Sequence, residues 1–219
     1  MVEVSTSILN VEKEKSMQTF YNLEVAHTDY FHIDVMDGKF VKKDTTEDMF
    51  QYAVTLNGII QTPLDIHLMV EEVEEYIYDY QTIEPNSITF HIEATKTREK
   101  TMEYIKLIKE GGSKVGLSIK PDTKIEEIYP YLPYIHMVLV MTVEPGKGGQ
   151  TLIPDTIEKI RKLREFIEEN KLEVDIEVDG GINVENASIL KAAGADILVA
   201  GTAILHSKEY EKTIKQLKE

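Results

Sequence analysis

Two histidines and two aspartates stand in β-rich runs where they could share one site. His32 and Asp34 lie in the run HIDVMDG, His67 lies in LDIHLMV, and Asp179 lies in EVDGGIN. His32 and Asp34 share a face because side chains alternate along a strand. A single strand histidine is more often a core residue than a ligand, but four such residues at equivalent strand ends favour a metal site. Two imidazoles and two carboxylates suit divalent Zn, Fe, Mn or Co better than Ca, so one divalent metal ion is the predicted cofactor.

Three methionines would lie beside this site. Met36 and Met69 each follow a candidate ligand by two residues and therefore share its face, while Met141 ends another β-rich run. A methionine side chain is flexible and polarizable, so it can form the wall of a binding site or simply fill a core. Both roles stay open for these three residues at the level of the sequence.

Two further acidic residues precede candidate ligands on the same strand faces. Asp65 stands two residues before His67, and Glu177 stands two residues before Asp179. Acidic side chains next to metal ligands commonly orient them by hydrogen bonding. We therefore expect Asp65 to orient His67 and Glu177 to orient Asp179, with an ordinary polar or solvated role as the alternative.

The elements that must position these residues recur eight times along the chain. The β-rich runs are 2–8, 30–36, 64–69, 87–92, 114–119, 136–142, 173–178 and 196–200. Between them, segments such as 46–60, 97–111 and 154–170 carry apolar residues at three- and four-residue spacing, which predicts helices. Eight strand and helix units without a linker predict an α/β fold, a single (β/α)8 TIM barrel domain with parallel strands over residues 1–219. An open doubly wound sheet would place a glycine-rich turn after the first strand, where STSILN has no glycine.

Composition excludes several classes of function. The chain has 24 basic and 39 acidic residues, a net charge of −15, which disfavours nucleic acid and anionic membranes as partners. It has no cysteine, so thiol catalysis, disulfides and thiolate metal sites are excluded. The N-terminal sequence has no basic segment followed by an apolar run, and no stretch is apolar enough to span a membrane. We expect a cytoplasmic protein without a membrane partner.

Five motifs together resemble one enzyme family. The runs HIDVMDG, LDIHLMV, MTVEPGKGGQ, EVDGGIN and LVAGTAI, in this order and spacing, are similar to those of the ribulose-phosphate 3-epimerases across essentially the whole chain. The family is a (β/α)8 barrel whose members interconvert D-ribulose 5-phosphate and D-xylulose 5-phosphate, or epimerise a related ketose phosphate such as D-allulose 6-phosphate. The resemblance implies a small sugar phosphate as substrate and a homo-oligomer, either a dimer or a hexamer.

The resemblance also assigns roles to the four candidate ligands. It implies that His32, Asp34, His67 and Asp179 bind the metal and that Asp34 and Asp179 are the two acid/base catalysts. Inverting a carbon beside a carbonyl requires one group to remove its proton and a second group, on the other face, to return one. A ketose is a weak carbon acid, so a metal that polarises the carbonyl is needed as well.

The remaining substrate contacts are predicted on strand ends and loops. Glycine-rich turns after the last two strands of a barrel can bind phosphate through backbone N–H groups, and Asn183 is a candidate helix cap behind the first of them. The loop EPGKGGQ has the glycines of a mobile lid, which the family closes over substrate. The resemblance adds Ser7, which matches a family serine that contacts substrate, and the three methionines, which the family places around its planar intermediate. The predicted substrate-binding residues are Ser7, Met36, His67, Met69, Met141, Gly146, Gly148, Gly149, Gly180, Gly181, Gly201 and Thr202.

Three more polar residues lie at predicted strand ends. His91 and Glu93 end the fourth run on one face and match a family His-x-Glu pattern without a defined role. Lys120 ends the fifth run, where a lysine could form a Schiff base. We interpret Lys120 as a solvated lysine.

The sequence departs from the family beside the site and leaves alternatives open. Residues 40–47 lack the usual Phe-Val-Pro-Asn continuation, residues 8–13 lack the usual Ala-Asp-Phe, and Thr202 replaces a frequent serine. These changes leave the exact ketose phosphate open. A phosphate-binding barrel with decarboxylase, aldolase or synthase chemistry would need a lysine at the second or third strand end, and neither has one. A silent sugar-phosphate binding protein is the third possibility, against which the intact aspartate pair argues.

Overall fold

The computed structural model describes residues 2–219 and shows a closed barrel of parallel strands. Each strand pairs with the next in chain order, and the last strand pairs with the first to close the ring. The strands are β1 (Glu3–Ser7), β2 (Tyr30–Met36), β3 (Leu64–Met69), β4 (Ser87–His91), β5 (Lys114–Ile119), β6 (Met137–Met141), β7 (Asp175–Asp179) and β8 (Ile197–Ala200). The predicted (β/α)8 barrel is confirmed, and every strand lies within two residues of its predicted bounds.

The α-helices pack around this ring. They are α1 (Ser16–Val25), α2 (Thr46–Ile59), α3 (Val73–Gln81), α4 (Arg98–Glu110), α5 (Asp155–Glu169), α6 (Ala187–Ala193), α7 (Thr202–Leu205) and α8 (Tyr210–Lys218). The three helices predicted from periodicity, now α2, α4 and α5, are confirmed with ends shifted by one residue. None of the helices within residues 2–219 is long and apolar enough to cross a membrane.

Two local predictions differ from the structure. The crossover from β5 to β6 contains short 3-10 helices, Ile125–Glu127 and Tyr129–Tyr134, in place of an α-helix. Pro130 and Pro133 explain this, since proline removes a backbone donor and clashes inside an α-helix. Asn183 does not cap α6 directly, because its side chain accepts hydrogen bonds from the backbone of Glu185 and Asn186 in the turn that precedes the helix.

The two faces of the strands differ in polarity, and this difference positions the site. One face carries fully buried apolar residues that pack against the helices, among them Ile33, Ile66, Val138 and Val178. The alternating residues point into the ring and bond to one another there. Asp65 accepts hydrogen bonds from Ser5 Oγ at 3.0 Å and from Ser87 Oγ at 2.9 Å. Branched apolar residues dominate the interior of most such barrels, whereas this interior carries hydrogen-bonding groups beneath the strand ends.

Candidate active site

The four predicted metal ligands converge at the carboxyl ends of β2, β3 and β7. One ligand atom from each of His32, Asp34, His67 and Asp179 lies within 4.8 Å of all the others. Asp34 Oδ1 lies 3.5 Å from His32 Nε2 and 3.6 Å from His67 Nδ1. Asp179 Oδ2 lies 3.8 Å from His67 Nδ1. The register explains this, because Asp34 stands directly opposite His67 in the β2–β3 pair.

Two ring nitrogens at this centre have no hydrogen-bond partner. His32 Nε2 and His67 Nδ1 are buried and unpaired, whereas His32 Nδ1 contacts Asp65 at 2.6 Å and His67 Nε2 contacts His91 at 2.9 Å. A buried polar atom without a partner costs about 1–3 kcal/mol. Two such lone pairs facing two carboxylates form a donor set that fits a divalent cation, so the residues present suit the predicted metal.

The two candidate catalysts lie in different electrostatic surroundings. Burial disfavours the charged form of Asp34, but electrostatic attraction to the His32 and His67 imidazoles outweighs it and lowers the pKa of Asp34. Burial and the neighbouring charge of Asp34 raise the pKa of Asp179 to about 7. Paired carboxylates with separated pKa values can hold one proton between them, as an acid and a base.

The roles predicted for the two inward acidic residues need correction. Asp65 bonds to His32 and not to His67, because the β2–β3 register places Asp65 directly opposite His32. Glu177 lies 4.0 Å from His32 Nδ1, and neither of its oxygens forms a hydrogen bond with Asp179 or any other partner. Burial and the charge of Asp65 raise the pKa of Glu177 well above its ordinary value. Asp65 is thus the residue that orients His32.

A pocket of about 250 Å³ opens above the four candidate ligands. Ser7 lines it and donates a hydrogen bond of 2.7 Å from Oγ to Asp34 Oδ2. Met36, Met69 and Met141 also line the pocket and are almost fully buried. The predicted substrate contacts that the structure brings to this pocket are Ser7, Met36, Met69, Met141, Gly146, Gly148, Gly149, Gly180, Gly181, Gly201 and Thr202. His67 lies beneath them in the ligand cluster.

The turns after β7 and β8 form one side of the pocket. Gly181 has a φ of +68°, and a Cβ atom there would lie 2.5 Å from the backbone nitrogen of Leu152, so only glycine fits. Gly201 precedes the short helix α7, which begins at Thr202. Barrels of this class commonly bind phosphate between these loops and a short extra helix. The arrangement is thus suited to an anionic group.

The glycine-rich loop of residues 144–150 forms another side. Gln150 Nε2 donates to the carbonyls of Glu144 at 2.7 Å and Lys147 at 2.8 Å, which folds the loop onto itself. A Cβ atom at Gly146 would lie 2.9 Å from Val41, and one at Gly148 would lie 2.7 Å from Asn10. The loop therefore packs against both segments in which the sequence departs from the family.

His67 has a contact with another histidine, His91, that the sequence did not predict. His91 is fully buried and joins His67 to Glu93, whose Oε2 lies 3.1 Å from His91 Nδ1. Burial lowers the pKa of His91 to about 4, so its ring is neutral. Lys120, interpreted as a solvated lysine, is partly exposed, and its Nζ lies 4.0 Å from the centre of the Phe40 ring. The His-x-Glu spacing was the available signal, but the contact with His67 depends on strand register.

Comparison with known proteins agrees with this geometry. Residues 3–205 match the model of the ribulose-phosphate 3 epimerase family. A ribulose-phosphate 3-epimerase from Methanocaldococcus jannaschii is 38% identical, with 100% of this chain and 91% of the relative covered. The chain belongs to the ribulose-phosphate 3-epimerase family. Its relatives from Escherichia coli (35% identical; 98% of this chain and 94% of the relative covered) and Bacillus subtilis (36%; 100% and 99%) carry the same name, so this family member is an epimerase, an isomerase enzyme.

Solved structures of other barrels share the fold at much lower identity. KGPDC from Streptococcus mutans superposes with a TM-score of 0.71 at 12% identity, covering 100% of this chain and 96% of that one. A 3-hexulose-6-phosphate synthase from Salmonella typhimurium gives a TM-score of 0.71 at 15% identity, with 99% and 96% covered. Likeness at this level supports the barrel and says nothing about the reaction of this epimerase.

Proposed function

We propose that this chain is a metal-dependent 3-epimerase that interconverts D-ribulose 5-phosphate and D-xylulose 5-phosphate. The observation that carries the proposal is the convergence of Asp34 and Asp179 with two unpaired imidazole nitrogens at the base of a pocket. The reaction class follows from the family, and the names of relatives that match nearly the whole chain specify a ribulose phosphate. The ligand set and the aspartate pair are our assignments.

The two aspartates would exchange the proton at C3. One carboxylate removes the proton from one face of the carbon, and the other returns a proton to the opposite face, so the configuration inverts. Ser7 donates to Asp34 Oδ2, which fixes the orientation of this carboxylate and leaves Oδ1 among the ligand atoms. Asp179 comes from β7 and approaches the same point from another part of the ring. Two carboxylates on different strands can thus address two faces of one carbon.

The same residues would hold the metal. His32, Asp34, His67 and Asp179 are its proposed ligands, and Zn, Fe, Mn or Co in the divalent state suits two nitrogen and two oxygen donors. When bound, the cation supplies positive charge beside the substrate oxygen that becomes more negative as the proton leaves. Met36, Met69 and Met141 would exclude water above it and pack against the planar intermediate.

The glycine turns would hold the phosphate. The backbone around Gly181 and Gly201 lines the pocket, and neither residue has a side chain to block the approach of an anion. The loop of residues 144–150 would then cover the substrate. This arrangement lets a chain with a net charge of −15 bind an anionic sugar without a basic patch.

An epimerase of a longer ketose phosphate, such as D-allulose 6-phosphate, is the second candidate. It is favoured by one observation, namely that Asn10, from a segment that departs from the family, lines the pocket. A phosphate-binding barrel with a different reaction is less well supported, because lysine is absent from the ends of β2 and β3.

A panel of ketose 5- and 6-phosphates tested with Zn²⁺, Fe²⁺, Mn²⁺ and Co²⁺ distinguishes these candidates. We expect the highest kcat/KM for D-ribulose 5-phosphate and no turnover without a divalent ion. A higher kcat/KM for a ketose 6-phosphate would replace the proposed substrate with the second candidate. Absence of epimerisation with every pair of substrate and metal would refute the proposed function.

A further inference from the structure

A line of hydrogen bonds leads from one proposed metal ligand to a carboxylate outside the ligand set. His67 Nε2 lies 2.9 Å from His91 Nε2, and His91 Nδ1 lies 3.1 Å from Glu93 Oε2. The two rings are only 25° from parallel, with centroids 5.0 Å apart. Both imidazoles are completely buried. The other histidine of the ligand set, His32, instead meets its carboxylate, Asp65, directly at 2.6 Å.

The position of one proton determines all the others along this line. A ring nitrogen that binds a metal carries no proton, so a metal at His67 Nδ1 requires the proton of this ring on Nε2. His67 Nε2 then donates to His91 Nε2, which must be an acceptor. A neutral His91 therefore carries its proton on Nδ1 and donates it to Glu93, whose carboxylate is acceptor only.

We propose that Glu93 and His91 are positioning residues that fix the tautomer of His67 and keep its Nδ1 free for the metal. This inference rests on the proposed metal site. Neither residue contacts the pocket, so their effect passes entirely through His67. We call the pair of Glu93 and His91 the relay. It orients His67 through two side chains, whereas Asp65 orients His32 directly. Partners of this kind typically change metal affinity about 10–100-fold when they are lost.

The surroundings of Glu93 hold it in the acceptor role. Its Oε1 accepts from the backbone nitrogen of Lys120 at 2.8 Å and from the hydroxyl of Thr123. Lys159 fixes the same loop, because its Nζ donates to the carbonyls of Lys120 at 2.9 Å and Thr123 at 2.6 Å. Oε1 is thus bound to two donors, and Oε2 remains for His91.

These contacts make Glu93→Gln a specific test. Glutamine keeps the shape of glutamate, but its single oxygen will be held at the Oε1 position by Lys120 and Thr123. Its NH₂ group then faces His91 Nδ1, which must become an acceptor and pass its proton to Nε2. His91 Nε2 and His67 Nε2 would then both carry a proton and face each other with no acceptor between them. To avoid this, His67 would have to move its proton to Nδ1, the metal-binding atom. Thr123→Val is the matched control, since it removes a bond to Oε1 without altering Oε2.

The tautomer of His91 and the affinity for Zn²⁺ are measured on the full chain without substrate. Proton-nitrogen correlation spectra of metal-free protein labelled with ¹⁵N-histidine, with His91 assigned through His91→Gln, should show the His91 proton on Nδ1 in the native protein and in Thr123→Val. In Glu93→Gln it should move to Nε2, and the dissociation constant for Zn²⁺ should rise about 10–100-fold. In Thr123→Val this constant should stay within about threefold of the native value, an expectation that follows from the unchanged Oε2 acceptor.

Two results would overturn the relay. The first is a native His91 that carries its proton on Nε2, which decides the question even if Glu93→Gln does not fold. The second is a folded Glu93→Gln protein that binds Zn²⁺ as tightly as the native one. Failure to epimerise ketose phosphates with normal Zn²⁺ binding would instead refute the proposed substrate and leave the relay intact.

Discussion

At the scale of single residues, Asp34 and Asp179 differ in what surrounds them although they share one centre. Asp34 accepts a hydrogen bond from Ser7 and lies between two imidazoles. Asp179 is slightly more exposed and has no such hydrogen bond from a side chain. If each carboxylate serves one face of the substrate carbon, removing one should leave the other able to exchange a proton.

We expect Asp34→Asn and Asp179→Asn each to abolish net epimerisation, because both proton transfers are needed in either direction. A loss of at least about 100-fold in kcat is expected for removal of one general acid or base. In deuterated solvent, one variant should still exchange the C3 proton of one epimer and the other variant that of the other epimer.

Metal content must be measured in both variants, because an amide is a poorer ligand than a carboxylate and metal loss would silence both exchange reactions. Ser7→Ala is a useful control, since it removes a bond to Asp34 and keeps both carboxylates. A folded, metal-loaded aspartate variant that epimerised at nearly the native rate would invalidate the two-carboxylate assignment.

The residue types of the site could be predicted from sequence, whereas several of their partners could not. The two-residue alternation places His32 with Asp34 and Glu177 with Asp179 on shared faces. Which strand neighbours face each other depends on register, and register pairs His32 with Asp65. The sequence pattern does not reveal the register between neighbouring strands. The partner of Asp65 was therefore predicted wrongly, and the contact of His67 with His91 was not predicted.

At the scale of elements, the turn after β8 joins the barrel to the proposed phosphate site. Gly201 precedes α7 and lies close to Ser7, where an added Cβ atom would be 3.2 Å from Ser7 Cβ. The φ of Gly201 is −105°, so an added side chain would meet a tight contact with Ser7 and no conformational barrier.

Replacing Gly201 with aspartate should therefore weaken substrate binding more than it weakens the fold. A carboxylate beside the phosphate adds repulsion, and we expect KM to rise at least about tenfold, equivalent to about 1.4 kcal/mol. Gly201→Ala is the matched variant, which adds the Cβ atom without charge and should change KM much less. Steady-state kinetics at constant ionic strength measure both, and an unchanged KM in folded Gly201→Asp would remove the phosphate assignment.

Helices were predictable wherever an amphipathic period ran for three turns or more. Helix α5 has such a period, and its buried residues Ile160, Leu163 and Ile167 follow it. The segment between β5 and β6 has no such period and contains two prolines, so the structure there is 3-10. Its ends were predictable from the strands on either side, but its internal structure was not.

At the scale of the whole molecule, the barrel has a polar interior near its catalytic end. Asp65 and Glu177 are completely or almost completely buried beneath the candidate ligands, and His32 and His67 each leave one nitrogen unpaired. Buried groups of this kind reduce stability until they are satisfied. The count of eight β-rich runs was enough to predict closure of the ring, but this polar interior emerges only when all eight strands are assembled.

Metal binding should consequently stabilise the entire barrel. A ligand at 100 times its dissociation constant stabilises the native state by about 2.7 kcal/mol, which for a chain of this size corresponds to a rise in Tm of roughly 5–10 °C. Calorimetry of chelator-treated protein with and without added Zn²⁺ measures this shift. Asp179→Asn should reduce it, and an identical Tm with and without the ion would argue against the metal site.

Conversion of D-ribulose 5-phosphate in deuterated water is the most direct test of the account. Metal-loaded protein should produce D-xylulose 5-phosphate with one deuterium at C3 and none at the other carbons, observed by NMR and mass spectrometry. Chelator-treated protein should produce none, and added divalent metal should restore the reaction. Full turnover of thoroughly metal-free protein, or product formed without deuterium at C3, would contradict a metal-assisted reaction in which one aspartate removes the C3 proton and the other delivers a proton from solvent.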